Sequence, residues 1–192
     1  MTPLVNDDLL MRMARPHRDT QEVVLHRIAA ALAARDAIGP WTLAEIAPAA
    51  GLSPAGLIKR FGTRKGLLIA LSRCWSAAIP HAPRGELPPL DELREWVHGR
   101  FTSDQCGAQG LGQLIDDLID NDLRTLLAAG WSREQAYLAS LLEAADLPGV
   151  NDPGTCAAIL FDALNGAALR RAADCGHGPV TGNLDKLLEM WT

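Results

Sequence analysis

Thr42-Leu43-Ala44-Glu45-Ile46-Ala47-Pro48-Ala49-Ala50-Gly51-Leu52-Ser53-Pro54-Ala55-Gly56-Leu57-Ile58-Lys59-Arg60-Phe61-Gly62-Thr63-Arg64-Lys65 is the stretch that decides the fold. Thr42 and Glu45 have capping-box spacing: the threonine oxygen accepts from a first-turn amide and the glutamate reaches back. A short helix follows and stops before Gly51, where a sharp turn calls for positive φ. Ser53-Pro54 opens a second helix, with a capping serine ahead of proline at the first helical position. That helix ends at Phe61-Gly62, and Thr63 can cap another. Ile46, Ala50, Leu52 and Leu57 supply the inner apolar positions, and Ala47 is small where two helices would cross. This is helix-turn-helix spacing. In that motif the second helix enters the major groove with its N-terminal residues at base edges. Ala55 and Gly56 are therefore expected at bases, and Lys59, Arg60, Arg64 and Lys65 at phosphates. An αα-hairpin that only packs shares the outline, but it does not call for the basic run as well.

The charge pattern around this stretch points the same way. Residues 1–80 carry ten Lys/Arg against six Asp/Glu, a net of +4, while residues 81–192 carry eight against seventeen, a net of −9. No acid lies between Glu45 and Glu86, a span that holds Lys59, Arg60, Arg64, Lys65, Arg73 and Arg84. A basic N-terminal third on an acidic body suits a polyanion at one end only.

Farther out, nearly everything reads as helix. Residues 1–17 look like a loose polar arm. Residues 18–36 place Val24, Ile28, Ala31 and Leu32 on one face, with Gly39-Pro40 as the stop. A fourth helix runs from Thr63 to about Ile79, and Pro80, Pro83, Pro88 and Pro89 mark a linker or loop. Further helices are expected near 90–102, 108–129, 132–146, 153–174 and 181–191, with Ser132-Arg133-Glu134-Gln135 read as another capping box. The fold class is all-α, with about nine helices. The chain has 192 residues, 48% hydrophobic and 21% charged, which excludes a disordered polymer. No apolar run approaches the roughly 20 residues of a membrane span. The N-terminus lacks a signal-peptide pattern, so a cytoplasmic location is expected, with no membrane partner. Cys74, Cys106, Cys156 and Cys175 form no CxxC pair and read as reduced thiols.

Thr42–Ala47, Ala50–Ser53 and Leu57–Leu68, in that order, resemble the DNA-binding domain of TetR-family (TetR/AcrR-type) transcriptional regulators, over roughly residues 20–75. The resemblance implies a helix-turn-helix domain over 18–66 and a ligand-binding and dimerisation bundle over 67–192. It implies a homodimer on an inverted-repeat, double-stranded DNA operator, most simply a repressor released by a small molecule. Thr42, Ser53, Ala55, Gly56, Ile58, Lys59, Arg60, Arg64 and Lys65 are the corresponding DNA-side positions. Ile58 replaces the family's usual tyrosine, whose hydroxyl commonly touches phosphate. Arg64 aligns with the usual lysine at the start of the fourth helix.

In the body, Trp75, Trp96, Phe101, Trp131, Tyr137 and Phe161 could line an apolar pocket for an apolar or aromatic effector, with Asn165, Gln105 or His98 as polar contacts. Asp116, Asp117 or Asp162 could meet a cationic one. The last two helices carry apolar stripes. Leu160, Leu164, Ala168, Leu184, Leu187, Leu188 and Trp191 are expected at a two-fold interface, helped by small residues such as Ala157, Ala158, Gly166 and Ala167. No phosphate loop, nucleophile elbow or HExxH occurs. Glu95 and His98 have E-x-x-H spacing without the further glutamates a di-iron site needs. No enzyme, cofactor or metal is expected. The other class of function open to this sequence is a helical binding or scaffolding protein whose helix-turn-helix no longer reads DNA.

Overall fold

A computed structural model describes residues 19–35, 40–101, 114–115, 117–174 and 179–192. Every regular element among them is helical. The order is α1 (Gln21–Ala33), α2 (Leu43–Ile46), α3 (Pro54–Phe61), α4 (Arg64–Ala78), α5 (Pro89–Phe101), α6 (Asn121–Ala145), α7 (Pro153–Ala173) and α8 (Thr181–Trp191). The expected arm, Gln105, Cys106, Asp116 and Cys175 lie outside the described residues.

Local chemistry sets the helix starts. Thr20, Thr42, Ser53, Thr63, Asp120 and Asp152 each accept first-turn amides. Pro54 and Pro153 occupy first-turn positions whose amides have no helical partner. α1 leaves the helix at Ala34, well short of the Gly39-Pro40 stop expected from sequence. It buries Val24, Leu25 and Ile28.

A larger correction falls in α6. Ser132 caps nothing, because α6 is continuous from Asn121 to Ala145. The start is Asp120, whose Oδ1 accepts from the amides of Asp122 and Leu123 at 3.0 and 3.2 Å. The helix runs through the break expected near residue 130, where glycine leaves room for a neighbouring ring. A Cβ on it would lie 2.0 Å from the Trp75 ring.

Two apolar cores form. The first joins α1, Trp41, α2, α3 and the start of α4, and takes in Leu123 from α6. The second joins α5, α6, α7 and α8 around Leu93, Leu138, Leu141, Leu160, Leu164 and Leu184. At 1.5 Å per residue the 25 residues of α6 span about 37 Å, so one rod enters both cores. The proline-rich segment is a loop pinned to α5, since the Arg84 amide and guanidinium both donate to Glu92. No described helix is long and apolar enough to cross a membrane.

The dimer stripe expected from sequence is corrected by burial. Leu160 is fully buried in the single chain, Leu164, Leu184, Leu188 and Trp191 nearly so, and Ala168 and Leu187 pack against the same core. The earlier helices leave a groove that these side chains close. The exposed large apolar side chains of α7 and α8 are Ile159, Leu169 and Met190.

Candidate functional site

The α2–α3 hairpin is built as its caps require. The Thr42 amide donates to Glu45 Oε2 at 3.0 Å and the Glu45 amide to Thr42 Oγ1 at 3.3 Å. Gly51 turns the chain at φ +65°, which excludes most side chains. Ser53 Oγ accepts from the Gly56 amide at 3.1 Å. Leu57 is fully buried, and this fixes which face of α3 looks outward. Ser53, Ala55, Ile58 and Lys59 are exposed on that outer side, with Gly56 partly covered, and Thr42 is exposed at the start of α2.

The cations divide into two sets. Lys59 stands in solvent. The other three are engaged by the protein. Arg60 Nη2 donates to the Asp19 carbonyl at 3.1 Å. The Arg64 guanidinium lies 4.6 Å from the centre of the Trp41 ring, a cation–π distance. Lys65 Nζ lies 2.8 Å from Asp120 and 2.7 Å from Asp122, at the start of α6. Asp120 above all, then Asp122, raises the Lys65 pKa, and Lys65 in return lowers that of Asp120. Sequence reading gave Lys65 to phosphate alone, and missed its carboxylate partners and the ring under Arg64. Asp120-Asn121 ahead of an apolar run was the available cap signal for the first. Trp41 beside the Thr42 cap was the signal for the second.

The aromatic residues of the body do come together, around polar groups that sequence reading did not single out. Trp96 meets Tyr137 edge-on at 5.0 Å, and Trp131 meets Phe161 at 6.0 Å. Trp75 lies on Gly130. Arg100 lies 5.9 Å from the Trp75 ring centre and 5.3 Å from that of Phe101. Asn165 spends its amide on the Phe161 carbonyl of its own helix, at 2.9 Å. Two cavities among the described residues lie elsewhere. One of about 490 Å³ is bounded by α1, the end of α3 and α4, with Glu22, Arg60, Phe61 and Cys74 in its wall. The other, about 330 Å³, is bounded by Arg64, Lys65, Leu68, Ile119, Asp120 and Leu123. Burial, with Glu22 nearby, pushes the Cys74 thiol pKa up, so it is a poor nucleophile.

Two buried carboxylates hold the body's polar interior. Glu92 is 1% exposed and accepts from Tyr137 Oη and from Arg84. Burial opposes its charge, but those hydrogen bonds outweigh burial and hold its pKa at about 2. Burial and the bond to Glu92 push the Tyr137 phenol up in turn. Glu134 is 3% exposed, and its Oε1 takes the Trp96 indole N–H at 3.3 Å and Arg100 Nε at 3.4 Å. Both glutamates lie in register with Leu93, Tyr137 and Leu138 on buried helix faces, a signal that was present in the sequence. Glu95 pairs with Arg84 at 3.1 Å. Among the described residues no group of three His, Cys, Asp or Glu is placed to hold a metal ion.

No family model matches the chain, and no curated protein matches it.

Proposed function

We propose that this chain is a ligand-responsive, DNA-binding transcriptional regulator that acts as a homodimer, most simply as a repressor. The observation that supports it best is the outer edge of α3. A buried Leu57 anchors the helix, while small Ala55, exposed Ile58 and solvent-facing Lys59 are presented beyond a glycine turn. Ser53 has its hydroxyl committed to capping, so it positions the helix. Ala55 and Gly56 let backbone approach base edges, and Ile58 suits the apolar methyl of thymine. Lys59 supplies the unencumbered phosphate contact. The acidic body stays off the DNA.

Pairing places two α3 helices on successive major-groove faces, about 34 Å apart or a multiple of it, so the operator is an inverted repeat. Burial of the leucine stripe moves the proposed interface to the outer faces of α7 and α8, with Ile159, Leu169 and Met190. An effector reaches the aromatic cluster of the body and shifts operator affinity, with a coupling of about 1–3 kcal/mol that must be reciprocal.

The test is a salt titration of binding to duplexes selected from a random library. Sequence-preferring binding with a steep negative slope is expected, and Lys59→Ala is expected to reduce the slope by about 0.9. Binding without sequence preference, or none, overturns the reading. The second reading, a helical scaffold protein, is favoured by one observation. Ile58 is 53% exposed on the outer face of α3, and three of the four nearby cations are already engaged. It requires that no duplex is preferred.

A further inference from the structure

Glu134 is a buried carboxylate used on one side only. Both of its donors, the Trp96 indole and Arg100, converge on Oε1. Its Oε2 is buried and has no hydrogen-bond partner. A buried carboxylate oxygen without a donor costs stability, and more when ionised. Such a cost is retained where a ligand supplies the donor.

The surroundings specify the donor's chemistry. Trp75, Trp96 and Phe101 are only half-buried although large and aromatic, so the cluster opens toward solvent. Trp75 rests on Gly130, one helical turn before Glu134 on α6. Two of these rings already seat a cation, since Arg100 lies over both Trp75 and Phe101 while it reaches Glu134. Ring faces carry negative quadrupole charge, and beside a carboxylate they favour a cation over a neutral group. A hydrogen on that cation is what Oε2 can accept.

We infer that Glu134, with the ring faces of Trp75, Trp96 and Phe101, forms a binding site for an aryl- or alkylammonium ion bearing N–H. The ammonium donates to Oε2 while Arg100 keeps Oε1, and the organic part stacks on the ring surface that Arg100 leaves uncovered. Entry takes a rotamer change at a half-buried ring. This names the effector class of the proposed regulator and rests on that reading for its regulatory role alone; binding is measured without DNA, so either can fail separately.

The experiment is a tryptophan-fluorescence titration of the full chain with 2-phenylethylammonium and with 2-phenylethanol, which match in shape and differ in charge at pH 7. The ammonium is expected to bind about tenfold more tightly, as a charge-assisted bond to a shielded carboxylate implies. Glu134→Gln is expected to bring the two within about twofold of each other. Arg100→Met removes the cation that partly neutralises Glu134 from its other oxygen and is expected to tighten the ammonium about threefold while leaving the alcohol unchanged. A gain of affinity cannot arise from misfolding, so this second variant decides the matter if Glu134→Gln fails to fold. Equal affinity for the two probes, no quenching by either, a charge preference that survives Glu134→Gln, or an ammonium affinity that Arg100→Met leaves unchanged or weakens would each overturn the assignment.

Discussion

Tyr137 carries more of this molecule than its single hydroxyl suggests. Its ring supports Trp96, and its Oη donates to Glu92, which also takes the backbone and side chain of Arg84. One phenol therefore ties the proline-rich loop, α5 and α6 together. Tyr137→Phe keeps the ring and leaves a buried carboxylate short of one donor. The expected cost is about 1–3 kcal/mol, read from urea unfolding at pH 7. The pH dependence has a defined sign. The folded pKa of Glu92 is about 2, below its ordinary 4.5, so its contribution is fully present above about pH 5. It is lost as pH falls toward 2. Wild type should lose stability across that window, and Tyr137→Phe should lose less, because the variant's carboxyl titrates nearer its ordinary value. Parallel pH profiles for the two proteins would show that Glu92 is not held by Tyr137.

At the scale of elements, α6 is the member that joins the two cores. Gly130 lets it pass under Trp75. Gly130→Ala gains up to about 1 kcal/mol of helix propensity and loses packing worth about 1–3 kcal/mol, so net destabilisation is expected, with a change in tryptophan emission. A stabilised variant with unchanged emission would mean that the ring yields freely. The head of the same helix holds Lys65 between Asp120 and Asp122. Asn caps a helix as well as Asp does, so Asp120→Asn with Asp122→Asn leaves α6 capped and frees the ammonium. Under the DNA-binding reading the salt slope then steepens by about 0.9, as one more cation reaches phosphate. An unchanged slope would show that Lys65 serves only to join α4 to α6.

For the whole molecule, under the proposed homodimer, burial decides which substitutions can separate subunits. A charge at Leu164, which is 2% exposed, is expected to unfold the chain rather than yield a monomer. Ile159 is 50% exposed on the outer face of α7, and Gly166 faces open space on the same helix. Ile159→Lys is expected to give a folded monomer in sedimentation, with helical content retained and operator affinity much reduced. A variant that stays dimeric would move the interface off α7, and a wild-type monomer at micromolar concentration would remove the homodimer.

The sequence by itself determined the all-helical class and the hairpin from Thr42 to Phe61. Caps, proline positions and a glycine turn act over three or four residues and need no distant partner, so α3 and the starts of α2 and α4 were legible to within a residue, although α2 ends at Ile46, short of the stop expected before Gly51. It offered the aromatic side chains of the body as lining for a pocket, and the two cavities described are lined by other residues. Tertiary structure decided what needed neighbours from elsewhere in the chain. Ser132 has the spacing of a cap, yet the helix that Asp120 starts runs straight through it, with its Gly130 fitted under Trp75. The stripes of α7 and α8 have the pattern of an interface, but a pattern marks only that a face is buried and not against what. Lys65 and Arg64 read as free cations until Asp120, Asp122 and Trp41 were brought beside them, because ion pairs and ring contacts are made across the fold at separations that local spacing does not record.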